Sequence, residues 1–87
     1  MRTYTFYTDP GHGWLKVPYK DLQVLGIDNK ITKCSFVRGA YVYLEEDCDG
    51  SLFVNVAKQN GWELKIIEKY SYKSSKIRSY DRYYSRG

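Results

Sequence analysis

Clusters of turn-forming residues cut this chain into short pieces, and that limits what it can fold into. Asp9-Pro10-Gly11-His12-Gly13, Gly26, Arg38-Gly39, Asp49-Gly50 and Asn60-Gly61 leave room for short strands and short helices only. Arg2–Thr8 alternates polar with Tyr and Phe, which predicts a strand. The turn formers that follow, and the apolar-polar run at residues 14–17, predict its hairpin partner. Residues 18–26 predict a short helix, with Pro18 in the first turn, Leu22 and Leu25 at helical spacing and Gly26 as a left-handed stop. Residues 27–35 read as a loop or a single helical turn. Residues 35–45 predict a second hairpin turning at Arg38-Gly39. In residues 51–61, Leu52, Phe53, Val56, Ala57 and Asn60 share one helical face, with Asp47 or Asp49 as the cap and Gly61 as the stop. Residues 62–68 predict a last strand. The order ββαββαβ defines an α+β fold with a mostly antiparallel sheet and two helices on one face.

Eighty-seven residues suffice for one small domain. We expect it to span residues 1–68, with residues 69–87 as an extension too poor in aliphatic side chains to form a core element. Charge separates the two parts. The last nineteen residues hold six Lys/Arg, one acid and five of the ten tyrosines, while the body is near neutral. No apolar run is long enough to span a bilayer, and the alternating start does not resemble a signal peptide, so a cytosolic protein is expected. Cys34 and Cys48 are then expected as free thiols, a single bridge being the alternative.

Alternation assigns the sheet faces. If Leu15, Val17, Val42, Leu44, Leu64 and Ile66 face the helices, then Trp14, Lys16, Tyr41, Tyr43 and Ile67 face away. That outer face is aromatic. Either it is an interaction surface or the C-terminal extension covers it.

Three segments carry chemistry. His12, the only histidine, sits between Gly11 and Gly13; it is a candidate general base with Asp9 or a ligand contact, or else an exposed turn residue. The acidic run holds Glu45, Glu46, Asp47 and Asp49. It imitates the start of a calcium loop, but the position needing a bidentate carboxylate is Val56, so that reading fails. With two cysteines and one histidine, an ordinary structural zinc site is excluded as well, and no metal or cofactor is expected. Cys48 at a helix start gains from the dipole but is surrounded by acids, which oppose a thiolate. The extension interleaves Lys73, Lys76, Arg78, Tyr80, Arg82 and Arg86 with aromatics, a combination that binds single-stranded nucleic acid.

Residues 11–18 (GHGWLKVP), Gly26-Ile27, residues 43–53 (YLEEDCDGSLF), Glu68-Lys69 and residues 74–80 (SSKIRSY) together resemble small uncharacterised proteins encoded by phages, prophages and plasmids. The resemblance covers most of the chain after the first strand. It implies an accessory or anti-defence factor, such as an anti-CRISPR-type inhibitor. The expectation is therefore a non-enzymatic protein that occludes a host nucleic-acid-handling protein through His12, Trp14, Tyr41, Tyr43, Glu45, Glu46, Asp47 and Asp49. Direct nucleic-acid binding by the extension is the alternative, and a hydrolase or nuclease built on His12 and the acidic run is the third. The deciding geometric question is whether the histidine loop and the acidic run meet in space.

Overall fold

A computed structural model describes residues 1–84. The elements are β1 (Arg2–Thr8), β2 (Gly13–Pro18), α1 (Tyr19–Val24), β3 (Phe36–Arg38), β4 (Tyr41–Glu45), a single π-helical turn (Glu46–Gly50) leading into α2 (Ser51–Gln59), β5 (Leu64–Tyr70), a 3-10 turn (Lys76–Ser79) and a two-residue β6 (Asp81–Arg82). They form one α+β domain around a six-stranded sheet of order β5-β1-β2-β4-β3-β6.

Both expected hairpins are present. β1 pairs with β2 antiparallel, with Phe6 opposite Leu15, and β3 pairs with β4 antiparallel, with Val37 opposite Val42. β2 and β4 join the hairpins, with Leu15 opposite Leu44 and Val17 opposite Val42. The sheet is mixed because β5 pairs parallel to β1. The turn and α2 carry the chain from β4 back across the sheet to its far edge, the kind of long connection a parallel strand requires.

The main core lies between the sheet and the two helices. Leu15, Val17, Val42 and Leu44 from the strands meet Leu22 of α1 and Phe53 of α2. Ile27 and Ile31 of the connecting loop are buried in the same core, so that segment does more than link α1 to β3. Tyr4 packs edge-on against Phe53, its ring centroid 5.3 Å away, and its hydroxyl donates to Asp21 Oδ2 at 2.7 Å. Burial, and then the Asp21 carboxylate, push the Tyr4 hydroxyl well above the ordinary phenol range.

Three expectations change. Ile66 shares the inner face but is 45% exposed. β5 is the edge strand, and only its start, at Leu64, packs against the core. The helical run begins at Glu46, earlier than expected, and its cap is Glu45, whose carboxylate accepts from Asp47 N–H. Asp49 therefore falls inside the helical run, where it cannot cap and reaches a neighbouring loop instead.

The third change concerns residues 71–84. Of a free tail and an extension lying on the body, the second is found, and against the expectation from composition it contributes core residues. Ser71 N–H continues the ladder to Thr8 carbonyl, and the chain then crosses the outer sheet face. Ile77, 3% exposed, packs there with Trp14, Phe36 and Tyr43. β6 pairs with β3, and Tyr83 passes into the main core, where its ring stacks on Tyr19 and its hydroxyl donates to Asp28 carbonyl. The outer face thus acquires a second small core.

Candidate functional site

The histidine loop is shaped by Asp9. Its Oδ1 accepts from Gly11 N–H and His12 N–H, both at 2.9 Å, which closes the turn. Its Oδ2 accepts from Ser75 N–H at 2.9 Å and Arg78 Nε at 2.8 Å, and Arg78 Nη2 reaches Oδ1 at 2.9 Å. One buried carboxylate so binds the hairpin to the C-terminal segment. The Arg78 guanidinium, with the backbone donors behind it, holds the Asp9 carboxyl far below the usual carboxylate range, although burial acts in the opposite direction. The two glycines around His12 have steric causes. A Cβ on Gly11 would come within 2.8 Å of Arg78 Nη2, and one on Gly13 within 2.5 Å of the Phe6 ring.

The acidic run is fixed from the other side. Asp49 Oδ2 accepts from Thr32 N–H, Thr32 Oγ1 and Ser35 Oγ at 3.0, 2.9 and 2.5 Å. Ser35 Oγ in turn accepts from Glu45 N–H at 3.1 Å. This clamp brings Cys34 beside Cys48. Hydrogen bonding with Cys34 first, then burial and Glu45, push the Cys48 thiol up to about 11, which disfavours a thiolate there. Both cysteines are free.

Between these two supports lies a pocket of about 390 Å³ lined by His12, Trp14, Cys34, Phe36, Glu45, Asp47, Arg78 and Arg82. The histidine loop and the acidic run do meet: His12 Nδ1 is 3.5 Å from Glu45 Oε1. The His12 ring is half-exposed, whereas Glu45 is buried. Arg78 lies 5.3 Å over the Trp14 ring and Arg82 4.5 Å over Phe36, so cations roof the aromatic floor. Two buried polar atoms facing this region, Trp14 Nε1 and Glu45 Oε1, have no hydrogen-bond partner among the described residues. Unpaired groups of this kind favour a ligand or water that supplies the missing bonds.

The other expected contacts scatter. Trp14 is 2% exposed and Tyr43 7% exposed, so neither is an open anchor; the C-terminal segment covers both. Burial, then the neighbouring Tyr80, push the Tyr43 hydroxyl up to about 12. Tyr41 is exposed but sits at the other end of the sheet, under the Lys16 ammonium. Glu46 and Asp47 are exposed beside the pocket, and Asp49 is turned away from it. Of the expected nucleic-acid contacts, Arg78 is committed to Asp9, Arg82 lies over Phe36 and Tyr80 packs on Tyr43 at 5.1 Å. Lys73 and Lys76 remain exposed, and Arg86 lies outside the described residues. The sequence carries no signal for Asp9 as a clamp for Arg78; the Asp-Pro-Gly turn pattern indicates its local bonds only. Among the described residues no group of three or more His, Cys, Asp or Glu is placed to hold a metal, and no helix is long and apolar enough to cross a membrane.

The fold and site define a small α+β domain in which three distant segments assemble a pocket. No family model, no curated protein and no solved structure matches the chain.

Proposed function

We propose that this chain is a binding protein rather than an enzyme. It acts as a mobile-element accessory or anti-defence factor and occludes a host protein that handles nucleic acid. The observation that carries the reading is the convergence of the histidine loop, the acidic turn and the C-terminal segment on a pocket that leaves the buried Trp14 Nε1 without a hydrogen-bond partner. These segments are also the ones that carry the family resemblance. Binding without turnover fits the chemistry. His12 has one carboxylate neighbour at its ring, the surroundings of Cys48 disfavour a thiolate, and the charge of Arg78 is taken up by Asp9. Asp47, which lines the pocket, and the adjacent Glu46 are both exposed and complement the basic surfaces that nucleic-acid-handling proteins present.

Affinity capture from a bacterial lysate, run in parallel with the wild type and the Glu46→Lys/Asp47→Lys double variant, tests this. The wild type retains a nucleic-acid-handling protein, and the double variant loses it by about tenfold or more, as expected for like-charge juxtaposition at a rim. Identical capture by both proteins overturns the reading.

A further inference from the structure

We propose that Cys34 and Cys48 form a thiol–disulfide exchange site, a dithiol that low-molecular-weight disulfides of the glutathione class convert to an intramolecular bond. The inference does not rest on the partner reading above. The chain has two cysteines, and the fold brings both to one end of the β3–β4 hairpin. Cys34 lies two residues before β3 and Cys48 three residues after β4. Phe36 pairs with Tyr43, so the same register carried back sets Cys34 opposite Glu45, the last residue of β4. The π-helical turn then folds Cys48 over that end. Asp49, the next residue, fixes the approach. Its Oδ2 accepts from Thr32 N–H, Thr32 Oγ1 and Ser35 Oγ, which bracket Cys34. Thr32 Oγ1 also accepts from Cys34 N–H at 3.1 Å. Gly50 closes the turn tightly on β4, since a Cβ there would meet the Glu45 carbonyl at 3.3 Å. With both backbones held in this way, the two thiols lie in hydrogen-bonding contact. Converting such a contact to a covalent bond needs side-chain rotation and little backbone movement.

Both cysteines are exposed, so a small disulfide can reach them. Their surroundings assign the roles. Cys34 lines the pocket, whereas Cys48 sits among Glu46, Asp47 and Asp49, which repel an anionic disulfide such as that of glutathione. Cys34 therefore attacks first. It loses its proton, its sulfur bonds one sulfur of the external disulfide, and one glutathione leaves as a thiolate that takes up a proton. Cys48 then loses its proton and attacks the Cys34 sulfur, which releases the second glutathione. Two protein thiols are oxidised to one disulfide, and the external disulfide is reduced to two thiols. Cys34 is itself the first cause that pushes the Cys48 thiol up, and capping of Cys34 removes that cause at the step where Cys48 must react. The bond ties the loop before β3 to the turn after β4 and takes a thiol out of the pocket wall.

Equilibrating the full chain with glutathione buffers of stepped oxidation, then quenching with acid, alkylating and measuring intact mass, tests the proposal. The oxidised product is a monomer lighter by one hydrogen pair that takes up no alkylating agent. Against the same buffers, the bond forms about tenfold or more less favourably in the chain unfolded in urea, because the fold no longer holds the thiols together. By linkage, oxidation raises the urea midpoint of the wild type and leaves that of Cys34→Ser unchanged. Cys48→Ser stops at a mixed disulfide on Cys34, and Cys34→Ser acquires glutathione about tenfold more slowly than Cys48→Ser. A wild type that ends with glutathione on both cysteines, or joined to a second chain, overturns the inference. Equal bond formation in the folded and unfolded chain also overturns it, because two cysteines in any short loop would then do the same. Capping of Cys48 as fast as Cys34 overturns the order of attack.

Discussion

Asp9 joins positions 69 residues apart in the chain, and its side chain has no exposure to water. A buried carboxylate is tolerable only when donors surround it. Here three backbone N–H groups and a two-pronged guanidinium do so. The sign of its pH effect follows. A carboxyl held below its unfolded value contributes stability that is fully present above about pH 4 and is lost as the pH falls toward the folded value. Urea unfolding of wild type and Asp9→Asn should differ by about 2 kcal/mol at neutral pH, and the gap should narrow below about pH 4. A constant gap across that window would show that Asp9 contributes shape and not charge. Asp49 has a comparable local role, since three donors from the loop before β3 converge on one of its oxygens.

Among the elements, the C-terminal segment departs furthest from its composition. It contains one aliphatic residue among many polar and aromatic ones, and that residue, Ile77, is its anchor. Ile77→Ala should cost about 3 kcal/mol in equilibrium unfolding, the price of a buried aliphatic cavity. A cost below about 0.5 kcal/mol would mean that the segment is not docked. Both hairpins and both helices are legible in the chain, because their signals are local: alternation, turn formers and helical spacing. The parallel placement of β5 is not, since it depends on where α2 delivers the chain and no residue of β5 encodes direction. The early helical start is hidden because Glu45, a poor cap by residue preference, wins the cap from Asp47 and Asp49 once Ser35 and Thr32 engage Asp49. Of the site, His12, Glu45 and Asp47 are legible as chemistry. Their meeting, and the roofing by Arg78 and Arg82, arise from contacts across most of the chain.

At the scale of the molecule, the sheet is used on both faces. Helices cover one, and the C-terminal segment covers the other over Trp14, Phe36 and Tyr43, which leaves Lys65, Ile67 and Lys69 exposed at the β5 side and closes a pocket with His12 and Glu45. β5 also carries an unpaired edge, and Lys65 and Lys69 along it discourage strand addition. The pocket depends on the docking of residues 71–84 over Trp14, because Arg78 and Arg82 form part of its lining. Acrylamide quenching of Trp14 emission in a Trp62→Phe background tests that docking directly. The account predicts a blue, poorly quenched indole in the full chain and a red-shifted, readily quenched one when the chain ends after Tyr70. Ready quenching of Trp14 in the full chain would contradict it.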